Sequence, residues 1–307
     1  MRNLLIKISL VSLIFLSSYA YGETATKPEI LLEPATPGPG DVMVVTVKNA
    51  AGETEGTFNG KKIYFNPSKE SFKAIVAIDY FTEPGKYDLD ISIKGSVFKE
   101  TVEVIKKEYK VETLTLPKRM VELSPKDEAR AEREQRRMDA IWPNESSRSW
   151  TGDFINPLPG EIIAPFGVRR IINNIPKSPH TGIDVRGHKG DKIIAPNDAV
   201  VALVDKQFFG GNALVLNHGQ GIYTMFFHLS KILVKPGQVV KKGDVIALVG
   251  ATGRATGPHL HWGVRVQGAR IDPLELIRER CFSELKIFGL CFPHRLSCYQ
   301  HPLHSRL

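Results

Sequence analysis

Cysteine is missing from the first 280 residues: all three, Cys281, Cys291 and Cys298, fall in the stretch 281–307. The body of the chain therefore has no disulfide framework, and its core must stand on packing alone. The count is odd, so in an oxidising compartment at least one thiol lacks a partner within the chain. No pair reads as Cys-x-x-Cys, and the spacing of these cysteines with His294, His301 and His304 fits no standard zinc site. Residues 281–307 accordingly read as a weakly ordered tail, a stretch that an altered reading frame near the end of the gene would also produce. Long apolar runs are scarce too. The clearest, Ile8 to Leu16, is too short to span a bilayer comfortably.

What that run resembles instead is the core of a secretory signal peptide. Arg2 and Lys7 supply basic flanks, and Ala20-Tyr21-Gly22 supplies a small-x-small site, which predicts cleavage after Gly22. No cysteine follows, so a lipoprotein anchor is not indicated. Residues 1–22 are thus expected to send the protein to the periplasm or cell envelope. The formal net charge is +8. In an exported protein this excess points to anionic wall polymers or a membrane surface rather than nucleic acid. The hydrophobic fraction of 42% and charged fraction of 24% are those of a folded chain, and 307 residues suffice for two domains.

Residues 23–112 alternate apolar and polar residues in short runs: Val42 to Val47, Lys61 to Phe65, Phe72 to Ile78, Tyr87 to Ile93 and Val97 to Ile105. Turn signals such as Pro37-Gly38-Pro39-Gly40, Asn59-Gly60 and Pro84-Gly85 separate them. This spacing predicts an immunoglobulin-like β-sandwich. It holds no cluster of His, Cys or carboxylates, so its expected role is spacing or binding, with a cell-wall or envelope protein as partner. Residues 113–150 read as a linker with one charged helix. Ser124-Pro125 followed by Asp127 is a helix start, Glu132 and Arg136 are placed for an i,i+4 pair, and Pro143 is the expected stop. Such a polar helix suits the surface of a domain.

From 151 to 280 the pattern returns to strands and glycine-rich turns, with a brief helix near Pro273. Here the histidines gather. His180 and Asp184 are four apart with Gly182 between, so in an extended segment they share a face. His259 and His261 share a face of another strand, and His228 ends the run Phe226-Phe227-His228-Leu229. A hydrolytic zinc ion takes three N or O ligands and keeps a fourth position for water. Two His and one carboxylate meet that need, leaving two His free for acid–base work or transition-state stabilisation. His188 and His218 lie beside glycines and read as turn residues.

Over residues 160–277 the chain resembles the M23 peptidases, the lysostaphin and LytM type of zinc endopeptidase. The likeness rests on Phe166-Gly167-Val168-Arg169, His180-Thr181-Gly182-Ile183-Asp184, Gly210-Gly211-Asn212, Phe227-His228-Leu229-Ser230, Gly250-Ala251-Thr252-Gly253, Gly257-Pro258-His259-Leu260-His261 and Asp272-Pro273. The resemblance implies a mostly β protein whose C-terminal domain is a lysostaphin/LytM-like antiparallel β fold. It implies one Zn2+ per catalytic domain, held by His180, Asp184 and His261. His228 and His259 are implied as catalytic, one as general base and the other as partner of the oxyanion or leaving amine. The implied substrate is the peptide stems of peptidoglycan. Two departures stand out: Phe227 occupies a position usually held by tyrosine, and the loop Ile171 to Pro179 contains no tyrosine for the metal. Arg169 or Arg170 is a candidate for a substrate carboxylate, or a plain surface cation. The rival reading is a non-catalytic regulator of wall hydrolases, but degenerate relatives of that kind lack metal ligands that are present here. A biotinyl-type carrier hairpin at Val234 to Asp244 leaves all five metal-type residues unexplained.

Overall fold

Alternating apolar residues build the first half of the chain. The computed structural model describes residues 27–50, 52–115, 123–144 and 146–278; the expectations for the signal peptide 1–22 and the tail 281–307 lie outside the described residues. Eight strands come first: β1 (Glu29–Glu33), β2 (Val42–Lys48), β3 (Thr54–Phe58), β4 (Lys61–Ile63), β5 (Phe65–Ser68), β6 (Ser71–Ala77), β7 (Gly85–Ile93) and β8 (Ser96–Val104). They form two antiparallel four-stranded sheets, ordered β1-β2-β6-β5 and β4-β3-β7-β8. This is the strand order of an immunoglobulin-type sandwich with one extra strand beside the third. Met43, Val45, Val76, Leu89, Ile91 and Val102 fill its core.

One expected strand is divided. Lys61 to Phe65 does not form a single run: β4 ends at Ile63, and Phe65 opens β5 in the opposite sheet. Ile63 is buried in the sandwich core, and the chain crosses between sheets at Tyr64. β1 and β3 were not foreseen; Thr54-Glu55-Gly56-Thr57 in β3 carries almost no apolar signal.

β2 is buried on both faces. Its odd-numbered residues Met43, Val45 and Val47 enter the sandwich, whereas Val42 and Val44, with Ile75 of β6, join the core of the second domain. That two-sided burial is why the segment reads as a continuous apolar run. The contact is extended by Tyr80 and Tyr109, whose rings pack around Phe166, and by Asp79, which accepts from the Arg270 backbone N–H at 2.7 Å.

The linker then makes two contributions. β9 (Val111–Leu114) leaves the sandwich and later finds a parallel partner in the second domain. The helix α1 (Pro125–Asp139) begins where expected, with the Ser124 hydroxyl accepting from the Asp127 N–H at 3.2 Å. Glu132 and Arg136 lie 3.7 Å apart. The helix ends at Asp139, four residues before Pro143, and turns follow. α1 lies on the second domain: Met138 packs on Val215, Tyr223 and Met225, and the buried Glu134 accepts from the Phe208 N–H at 2.6 Å. The Tyr223 hydroxyl donates to the Asn144 carbonyl at 2.7 Å, fastening the end of the linker.

The second domain adds β10 (Ile162–Ala164), β11 (Arg169–Ile172), β12 (Ile175–Pro176), β13 (Gly182–Arg186), β14 (Lys192–Ile194), β15 (Ala199–Gln207), β16 (Gly211–Gly219) and β17 (Ile222–Leu229). It closes with β18 (Lys231–Ile232), β19 (Val239–Val240), β20 (Val245–Leu248), β21 (His259–Val266), β22 (Ala269–Ile271) and α2 (Pro273–Leu276). The main sheet runs β10-β13-β21-β17-β16-β15-β19, with β22 also on β21; β14-β20-β18 forms a smaller sheet. Leu214, Leu216, Phe226, Leu260 and Trp262 turn one face of the main sheet into the core with Ile193 and Ile246. The other face carries Tyr223, Met225, Phe227 and His261, and α1 rests on part of it. β9 joins β11 and β12 in a third, three-stranded sheet, paired in parallel from Arg169↔Val111 to Ile172↔Leu114. Among the described residues no helix is long and apolar enough to cross a membrane.

His218 is a core residue, not an exposed turn. It is fully buried in β16, with Nδ1 2.9 Å from the Asp198 carbonyl and Nε2 2.9 Å from the Thr224 hydroxyl. Burial pushes its pKa down to about 4, against the weaker pull of Asp198. The unfolded chain, with His near 6.5, binds the extra proton first, so stability falls as pH drops from about 6.5 towards 4. Denaturant titrations at pH 7 and pH 5 are expected to differ by roughly 2 kcal/mol from this residue alone. The His218→Gln variant, whatever its absolute stability, should lose that part of the slope.

Candidate metal centre

The site is assembled by strand register. β13 and β21 pair antiparallel with Asp184 opposite His261 and Arg186 opposite His259. His180, on the segment leading into β13, is fixed by its backbone: its N–H donates to the Val168 carbonyl at 2.9 Å, and its carbonyl accepts from Gly167 at 2.8 Å. Gly182 has to be glycine. A Cβ there would sit 2.5 Å from the Trp262 carbonyl oxygen and 2.7 Å from His261 Nε2, so any side chain would drive the His261 ring away.

Three donor atoms converge. His180 Nε2 lies 3.0 Å from Asp184 Oδ1 and 3.0 Å from His261 Nδ1, and His261 Nδ1 lies 2.8 Å from Asp184 Oδ1. A tetrahedral ion with bonds of 2.0–2.1 Å would place its ligands roughly 3.3 Å apart. The observed triangle is only slightly tighter. His180 Nδ1 is 2.8 Å from the Pro165 carbonyl, which can only accept, so that nitrogen carries the proton of the neutral ring. Its Nε2 then presents a lone pair to a carboxylate oxygen 3.0 Å away, an arrangement that a cation between them turns from repulsive to favourable. The residues present therefore fit a divalent metal ion. Burial acts to raise the Asp184 pKa, and where no cation is shared among the three residues, protonated His180 and His261 rings act more strongly to lower it.

His228 and His259 border this cluster, with ring centroids 4.8 Å apart. Strand alternation would send His228 into the core behind Phe227. Instead it adopts a left-handed backbone with φ of 62°, and its ring comes to lie 6.2 Å from that of His261. Each of the two rings is held through Nδ1: His228 by the Thr252 carbonyl at 2.9 Å, His259 by the Gly257 carbonyl at 2.8 Å. Both Nε2 atoms are therefore the unprotonated edge of the neutral ring. That of His259 is 3.9 Å from Asp184 Oδ1. Burial, helped by the neighbouring His261 and His259 and opposed by the Thr252 contact, pushes the His228 pKa down to about 4.

The five residues singled out in the sequence thus lie in one cluster. Phe227 packs its ring 5.5 Å from His261, and Tyr223 does not replace the missing hydroxyl, since its own is spent on the linker. The carbonyls of Pro165, Thr252 and Gly257, which fix the tautomers, left no trace in the sequence because any residue supplies one. Converging His, Asp and His donors at a partly solvent-accessible point, with two further imidazoles alongside, fit a metal centre of the hydrolytic kind.

The family model for peptidase family M23 matches residues 178–273. A crystal structure from Pseudomonas aeruginosa assigned to peptidase M23 shares 33% identity at a TM-score of 0.64, covering 80% of this chain and 96% of that one. The chain belongs to peptidase family M23. It is also similar to the peptidoglycan DD-endopeptidase ShyB of Vibrio cholerae, 45% identical over 97 residues, which are 32% of this chain and 23% of that protein. The DD-carboxypeptidase/endopeptidase Mpg of Neisseria gonorrhoeae is 36% identical over 115 residues, 38% of this chain and 26% of that one. The matched segment spans about a quarter of the length of these two relatives.

Metal content is the direct check on the triad. Asp184→Asn keeps the shape but removes the charge, and is expected to weaken metal binding by at least about 100-fold, more than the loss of an outer-shell partner. Competition with a chromogenic chelator measures it. Gly182→Ala is expected to lower affinity as well, by displacing the His261 ring.

Proposed function

We propose that this chain is an exported zinc-dependent endopeptidase that hydrolyses peptide cross-links of peptidoglycan. The observation that carries the reading is the convergence of His180, Asp184 and His261 beside two histidines whose Nε2 edges are free. His180 Nε2, Asp184 Oδ1 and His261 Nδ1 would hold the ion; two imidazoles and one carboxylate are the ligand set of many zinc hydrolases. Zinc there supplies Lewis-acid activation of a water molecule and of the peptide carbonyl.

The remaining steps belong to the protein's own side chains. His228, neutral above acid pH and tied through Nδ1 to Thr252, accepts a proton at Nε2. His259 holds its Nε2 edge 3.9 Å from Asp184 Oδ1, on the border of the cluster. It can hydrogen-bond the developing oxyanion or pass a proton to the leaving amine. Asp184 would stay ionised with a cation at its Oδ1. The curated relatives named as peptidoglycan endopeptidases support the substrate class, and a signal peptide over residues 1–22 would place the enzyme in the envelope with that substrate.

Incubation of the zinc-loaded mature protein with cross-linked peptidoglycan fragments is expected to yield new peptide termini by mass spectrometry. His228→Ala should retain zinc yet lose about 100- to 10,000-fold in kcat, the usual weight of one acid–base group. Cleavage by neither wild type nor variant, with zinc bound in both, would turn the reading toward a non-catalytic regulator.

A further inference from the structure

The loop 250–258 does more than connect β20 to β21. Its Thr252 carbonyl holds His228 and its Gly257 carbonyl holds His259, and between them stands Arg254. The Arg254 backbone N–H donates to the Phe209 carbonyl at 2.9 Å, and its guanidinium carbon lies 4.4 Å from the centre of the Phe209 ring. That contact holds the guanidinium against the ring and leaves N–H groups for a planar acceptor. Among the described residues no carboxylate comes within 4.0 Å of it.

A second arginine, Arg170, stands on β11. Arg170 makes one long contact, Nε to Glu112 Oε2 at 3.4 Å, and Glu112 is shared with Lys110 at 3.0 Å. Burial lowers the Arg254 pKa, and the Arg170 charge lowers it further. Arginine does not release its proton in proteins, so the two like charges repel. An anion bound at Arg254 relieves that repulsion. Arg254 is two residues from Thr252 and three from Gly257, so its Cα lies within about 8 Å of the Thr252 Cα. The loop that carries Arg254 borders the His228 and His259 rings, which places this arginine beside a peptide bound at the cluster.

We infer that Arg254, assisted by Arg170, forms a carboxylate-binding subsite that grips a free carboxylate of the peptide being cut. The inference rests on the endopeptidase reading and deepens it. Two carboxylates of a wall peptide have the required chemistry: its C-terminal group, and the free carboxylate on the residue that forms the cross-link.

Synthetic cross-linked peptides, fully free or amidated at one or the other carboxylate, separate these sources. The wild type is expected to lose about 10- to 100-fold in kcat/KM when the recognised carboxylate becomes an amide, the weight of a charge-assisted bidentate contact. Arg254→Gln should cut all three peptides at similar rates, near that of the wild type on the amidated one. Arg254→Lys, a charge without the planar fork, should fall between. Arg170→Gln should reduce the preference in part. A general structural role for Arg254 would slow all three peptides equally and leave the preference intact. Equal cutting of all three by the wild type, or a preference that survives Arg254→Gln, overturns the subsite while sparing the peptidase. Failure of the wild type to cut any of them overturns both.

Discussion

The candidate metal centre depends on one register, the pairing of Asp184 with His261 across β13 and β21. A slip of one residue would turn the carboxylate to the opposite face of the sheet from the imidazole. Both strands therefore have one face committed to the core, by Ile183 and Val185 on one and Leu260, Trp262 and Val264 on the other. The hydrophobic residues between the ligands are thus what sets their geometry. Gly182 completes the arrangement by making room for the His261 ring.

Around this fixed centre the protein controls protons through main-chain carbonyls. Pro165, Thr252 and Gly257 each take an Nδ1–H, so the useful edge of His180, His228 and His259 is decided by backbone position rather than by neighbouring side chains. Such partners do not titrate, and they keep the ring orientation constant while the rest of the site changes charge. The left-handed turn at His228 is the local strain that this design tolerates, offset by a well-packed strand on either side.

Much of this was legible in the sequence, and what was not has physical causes. His180, Asp184, His259 and His261 could be placed because strand alternation assigns faces, and because metal ligands come from a short list of residue types. His228 was singled out only as the end of an apolar run in the same domain, and family resemblance gave it its expected catalytic role, since alternation by itself points it into the core. The apolar run of β2 announced a strand but not that its second face is covered by another domain. β3 was missed because Gly56 and two threonines dilute its pattern, and Lys61 to Phe65 was read as one strand because periodicity does not register a crossing between sheets. His218 beside Gly219 looked like a turn, and only its burial shows otherwise.

The parallel pairing of β9 with β11 bears on how portable the second domain is. A chimera that begins after the linker would strip β11 of its neighbour and bare an edge of unpaired amides that ends in Ile171 and Ile172. It would also uncover the surface on which Val42, Val44 and Ile75 sit. The boundary visible in the sequence is therefore not a seam along which the protein divides cleanly: the hairpin leading to His180 is completed by a strand from the other side of it.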